Sequence, residues 1–107
     1  MLKNIDKISV LPYHVVRFLE IVALDGNVDR IIIFGSRAFG DHEEYSDLDI
    51  AIDGEKLTKM NWLKLREFVS YDLRCVLRVS IVNYFSNPDK LKQRIIQTGI
   101  IIYEKQS

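Results

Sequence analysis

Apolar residues open the chain at helical spacing: after Pro12 come Val15, Val16, Leu19, Val22 and Ala23, three or four positions apart along one side of a helix. A helix with such a stripe must bury it. The pattern therefore predicts a core-facing helix over about residues 10–24, with Ser9 as its cap and Asp25-Gly26-Asn27 as its stop. The period then shortens. Arg30-Ile31-Ile32-Ile33-Phe34 is a β-branched and aromatic run ended by Gly35, the pattern of a strand covered on both faces or nearly so.

From Asp47 to Asp53 the chain alternates strictly. Leu48, Ile50 and Ile52 point one way and Asp47, Asp49, Ala51 and Asp53 the other, which predicts a strand with an acidic face. Gly54 breaks it. Trp62, Leu65, Phe68, Val69 and Leu73 then mark an amphipathic helix over about residues 57–74, with Trp62 as a core anchor. Val76 to Tyr84 reads as another strand, and Asn87-Pro88 as the cap and first residue of a short helix that carries Leu91, Ile95 and Thr98 and is closed by Gly99. Ile100 to Tyr103 is a final extended piece. Strands alternating with helices predict an α/β (α+β) fold whose sheet is covered mainly on one face by helices, with Asp47 and Asp49 on the open face.

Length and composition narrow the function. With 107 residues and no compositional break, residues 1–107 are expected to form one domain that buries about two thirds of its unfolded surface, which leaves little room for two substrates. No apolar run nears the roughly 20 residues needed to cross a bilayer, and Met1-Leu2-Lys3-Asn4-Ile5 begins no apolar signal core. A cytoplasmic, membrane-free protein is expected. A single cysteine, Cys75, excludes both a disulfide framework and a thiolate zinc site and reads as a spectator. The net charge is zero, yet residues 1–53 hold 5 Lys/Arg and 10 Asp/Glu while residues 54–107 hold 10 and 5. An acidic site facing cations and a basic surface facing an anionic partner would both follow from that asymmetry, as would a simple solvated helix face.

The chemistry concentrates in Gly35-Ser36-Arg37-Ala38-Phe39-Gly40 and the nearby Ser46-Asp47-Leu48-Asp49. A strand that ends in Gly-Ser and runs into a helical turn leaves backbone N–H groups aimed outward, an arrangement that cradles phosphate oxygens. Gly35 permits close approach and Ser36 adds a hydroxyl donor; Arg37 reads either as a charge near the same oxygens or as an exposed loop residue, and His42, which could supply charge there too, reads as an exposed loop residue. Two residues apart on one strand, Asp47 and Asp49 share a face with α-carbons about 6.5 Å apart. That suits Mg²⁺, which is held by one or two carboxylates together with the phosphates of its substrate.

Gly35-Ser36, ten residues, then Asp47-Leu48-Asp49 resembles the GS-x10-D-x-D signature of the DNA polymerase β nucleotidyltransferase superfamily. The whole chain is similar to its smallest members, the minimal nucleotidyltransferase (MNT) proteins. The resemblance implies a small mixed sheet flanked by helices, the nucleotidyltransferase fold. It implies Gly35, Ser36, Arg37 and Ser46 as nucleotide-binding residues, with Gly35 and Ser36 on the β and γ phosphates of ATP or another NTP. Asp47 and Asp49 become both the catalytic residues and the ligands of Mg²⁺. The implied reaction transfers a nucleoside monophosphate, typically AMP from ATP, to a hydroxyl. The implied partner is a separate helical HEPN-domain protein, for which the MNT member serves as antitoxin by adding AMP to a tyrosine; nucleic acid is not the expected direct substrate, and an oligomer is compatible with the pattern.

The match departs from the family at one place. Active members usually carry a third carboxylate on the neighbouring strand, where this chain reads Val79-Ser80-Ile81-Val82-Asn83. Ser80 offers a hydroxyl but no general base. Asp53 is too far from Asp49 to replace it, since four residues of strand span about 13 Å, and Asp72 reads as a surface helix carboxylate. Two functions therefore stand side by side: an Mg²⁺-dependent nucleotidyltransferase acting on a partner protein, and a catalytically weakened nucleotide-binding subunit that regulates its partner by contact. A transferase for small molecules would need an acceptor-binding domain beyond this one.

Overall fold

The computed structural model describes residues 2–8, 11–35, 48–71 and 79–105, with the side chains of residues 70 and 71 excepted. In chain order these form a 3-10 turn at Ile5–Lys7, α1 (Tyr13–Ala23), β1 (Arg30–Phe34), β2 (Leu48–Asp53), α2 (Lys59–Tyr71), β3 (Val79–Asn83), α3 (Asp89–Thr98) and β4 (Ile100–Glu104). The four strands make one mixed sheet in the order β3-β2-β1-β4. β1 lies antiparallel to both β2 and β4, and β2 is parallel to β3.

This topology follows from the connections. Parallel β2 and β3 need a crossover, and α2 supplies it. β4 sits at the far edge from β3, so α3 has to carry the chain across the sheet to reach it. The alternating residues then sort onto two faces. Leu48, Ile50, Ile52, Ile31 and Ile33 join Val15, Phe18, Leu19 and Val22 of α1 in the main core, with Trp62, Leu65 and Phe68 of α2 against it. The rings of Phe18 and Phe68 stack with centroids 5.2 Å apart, which ties the two helices together over the sheet. Trp62 is half-buried there, as an anchor should be.

The second face corrects the expectation of a sheet covered mainly on one side. Ile95 of α3 packs on Ile32 and Ala51 in a smaller core that Phe34, Val82, Tyr84 and Ile101 border. Asp53, expected on an open acidic face, is 9% exposed and tied to Arg30, with Nε 2.9 Å and Nη2 2.7 Å from its Oδ2. A nearly buried carboxylate requires such a partner. The Arg30 guanidinium also stands over the Tyr84 ring at 5.0 Å. Its burial lowers the tendency to hold a proton, but the hydrogen bond and charge of Asp53, with Tyr84, outweigh that and raise its pKa above the ordinary arginine value.

Other expectations need smaller corrections. α1 begins at Tyr13, with Pro12 extended at the cap position and no side-chain cap bond; Ser9 lies outside the described residues. Pro88 occupies the cap position of α3 instead of its first turn, and the Asn87 amide donates to the Asn83 carbonyl instead of capping the helix. The residues before α1 also contribute to the sheet margin: Lys3 N–H donates to the Ile102 carbonyl at 2.7 Å and Asn4 Nδ2 to that of Ile101 at 2.9 Å. They shield part of the β4 edge, which otherwise exposes unpaired backbone groups. Among the described residues no helix is long and apolar enough to cross a membrane.

Candidate active site

The site forms where the end of β1 meets the start of β2. Phe34 pairs with Asp49 in the antiparallel register, and Asp49 pairs with Ser80 in the parallel one. Residues paired across a ladder project on the same face, so Asp49 stands between the end of β1 and Ser80. Gly35, the residue that leaves β1, adopts φ +79°, a left-handed conformation that costs other residues about 1–2 kcal/mol. A Cβ added there would collide with Asp49 Oδ2. The glycine is thus needed twice: for its backbone angle, and to let the chain pass against a carboxylate.

A direct consequence concerns Gly35→Ala. The strained angle is expected to lower stability by about 1–2 kcal/mol, read as a lower urea midpoint with an unchanged m value. The added methyl would also turn the Asp49 carboxylate away. A variant as stable as the parent would show that this turn does not hold the angle.

Of the residues singled out from the sequence, Gly35, Asp49 and Ser80 come together. Ser36, Arg37, His42, Ser46, Asp47, Asp72 and Cys75 lie outside the described residues. Asp53 is removed from the site by its ion pair with Arg30, at the other end of the same sheet face. The β2–β3 register sets Ser80 directly beside Asp49 on the neighbouring strand.

α3 adds residues that the sequence reading did not assign to the site. A cleft of about 300 Å³ opens beside Gly35, lined by Phe34 and Gly35 from the end of β1 and by Leu91, Arg94, Ile95 and Thr98 from α3. Leu91, Arg94, Ile95 and Thr98 recur at helical spacing, so a shared face was visible in the sequence. What it faced was not. Gly99 lets the helix end close on the sheet, since a Cβ there would lie 2.5 Å from both Ile32 Cγ2 and the Ile95 carbonyl oxygen.

The donor set suits a hard cation: the carboxylate of Asp49, with the Ser80 hydroxyl on the neighbouring strand, offers oxygen ligands only. Among the described residues no three acidic, histidine or cysteine side chains form a complete cage. Such a site fits a cation that takes its remaining ligands from substrate phosphates and water, the usual habit of Mg²⁺.

The family described as "Polymerase beta, Nucleotidyltransferase" matches residues 18–107. Against curated proteins the chain has no match. Several solved structures share its fold. One is a toxin–antitoxin with AMP-PNP, at 22% identity and a TM-score of 0.65 over 87% of this chain and 73% of that one. A second is the tri-AMPylated Shewanella oneidensis HEPN toxin in complex with MNT antitoxin, at 20% identity and a TM-score of 0.58 over 85% and 67%. A third is the toxin–antitoxin MntA-HepT, at 20% identity and 0.57 over 85% and 68%. A glycine turn held against an aspartate strand, and a family match that runs from within α1 to the last residue, converge: the chain belongs to the polymerase β nucleotidyltransferase family.

Proposed function

We propose that this chain transfers AMP from ATP to a hydroxyl of a separate helical HEPN-domain protein, as the antitoxin of a HEPN/MNT pair in the cytoplasm. The observation that supports the reading is the close approach of the Gly35 turn to Asp49, which sets a backbone suited to phosphate beside a carboxylate suited to a cation. Fold neighbours that are toxin–antitoxin structures, one with AMP-PNP and one with an AMPylated HEPN toxin, support the donor and the partner.

In this mechanism the Gly35-Ser36 amides and the Ser36 hydroxyl would hold the β and γ phosphates, and Arg37 and Ser46 would add further contacts to the nucleotide. Asp47 and Asp49 would hold Mg²⁺. When bound, the cation neutralises charge that develops on the attacking and leaving oxygens. The remaining task of the chain is to align the acceptor oxygen with the α-phosphorus, which alone removes a large part of the barrier. Ser80 can accept a hydrogen bond from the incoming hydroxyl and orient it, but the proton passes to solvent.

That last feature favours a second reading. Ser80 stands beside Asp49 where active relatives are expected to carry an acid, and a missing general base costs about 10²–10⁴-fold. The chain would then bind nucleotide and neutralise its partner by contact alone. The two readings separate when the chain is incubated with α-labelled ATP, Mg²⁺ and the co-encoded HEPN protein. Label on the partner is expected; a stable complex that stays unlabelled would establish the regulatory subunit.

A further inference from the structure

We propose that Arg94 of α3 binds the pyrophosphate that leaves during transfer, which makes it a leaving-group residue of the site; this rests on the nucleotidyltransferase reading given above. Three observations lead there. Arg94 lines the cleft that begins at Gly35, the residue where the phosphate turn leaves β1. Its guanidinium makes no ion pair with any other described residue. α3 offers little competition for an anion, since its sole acid is Asp89 in the first turn.

Strand order gives the cleft its role. Along the sheet, Ser80 on β3, Asp49 on β2 and the end of β1 follow one another, and the α3 cleft is lined by Phe34 and Gly35 at the last of these positions. Adjacent strands are about 4.8 Å apart, so the row is long enough for an acceptor, a phosphorus and a leaving group in sequence. In-line displacement places the attacking and leaving oxygens on opposite sides of the phosphorus. An acceptor entering beside Ser80 forms a bond from its oxygen to the α-phosphorus as the bond to the bridging oxygen of the β-phosphate breaks. The electron pair departs with pyrophosphate, and the hydroxyl proton goes to solvent. The departing group therefore moves toward Gly35 and the α3 cleft, where a planar guanidinium can bind two of its oxygens at once.

Calorimetric titration of the full chain in Mg²⁺ with ATP, and separately with inorganic tripolyphosphate, tests the assignment. Arg94→Gln is expected to weaken both ligands by a similar factor, roughly ten- to a hundredfold, the usual range for a lost charged hydrogen bond. Arg94 is exposed, so the variant should fold; an unchanged melting temperature confirms it. Weaker ATP with unchanged tripolyphosphate would assign the cleft to the nucleoside and overturn the proposal. Unchanged affinity for both would overturn it too, while leaving the Gly35–Asp49 site standing. If the parent chain bound neither ligand, the nucleotidyltransferase reading itself would fall, and this assignment with it.

Discussion

Asp49→Asn is expected to leave the fold intact and lower AMP transfer on the order of 10³-fold. The substitution keeps the shape of the side chain and removes its charge. Asp49 is half-buried at the start of β2, between the β1 terminus and Ser80, so an amide of the same size fits the same space. The loss falls on the transition state. A cation at the transferring phosphate contributes several kcal/mol of charge stabilisation, and each 1.4 kcal/mol is about tenfold in rate. The check is single-turnover transfer of labelled AMP at saturating ATP, alongside thermal unfolding of both proteins. Transfer at the parental rate would remove Asp49 from the site, and the proposal that Asp47 and Asp49 share a cation would go with it.

The second large effect has the opposite sign. Ser80→Asp is expected to raise transfer by about 10²–10⁴-fold, the usual contribution of a general base. The register places the new carboxylate one strand from Asp49 on the same face, about 4.8 Å across the ladder. Two carboxylates that close cannot both ionise without raising the pKa of one of them. The variant should therefore be less stable than the parent in the absence of a divalent cation. Added Mg²⁺ should then raise its melting temperature more than it raises that of the parent, since a ligand bound by the native state alone stabilises it by mass action. This readout does not depend on catalysis. A variant with parental transfer and a parental response to Mg²⁺ would show that the position next to Asp49 is not what limits the reaction.

Much of this arrangement could be read one residue at a time. β1 spans Arg30–Phe34, as its isoleucine run and terminal glycine required, because β-branched side chains and a glycine stop act over a few residues. The alternation of β2 separated Leu48, Ile50 and Ile52 from Asp49 and Asp53, and all three isoleucine-leucine positions are in the main core. The aspartate and serine strands were recognisable, but their contact was not. It depends on β2 and β3 running parallel in one register, and a shift of one residue would have turned Ser80 to the opposite face.

The misreadings share that cause. Asp53 resembles a free acidic-face residue until Arg30, 23 positions earlier, reaches it across the ladder. Asn87 has the composition of a cap, yet its amide turns back on the Asn83 carbonyl. α3 has a visible apolar stripe, but nothing local says that β4 lies at the far edge of the sheet, which is what draws the helix over the second face and seats Arg94 beside Gly35.

The amino-acid sequence by itself determined the kinds of elements, the glycine at the end of β1 and the acidic alternation of β2, since these depend on backbone sterics and on which side chains avoid water. Only the tertiary structure decided that the Gly35 turn closes on Asp49, that Ser80 stands beside it and that α3 walls one side of the site. Those pairings join residues well separated along the chain, and their free energy comes from a sheet that exists only after the chain has closed on itself.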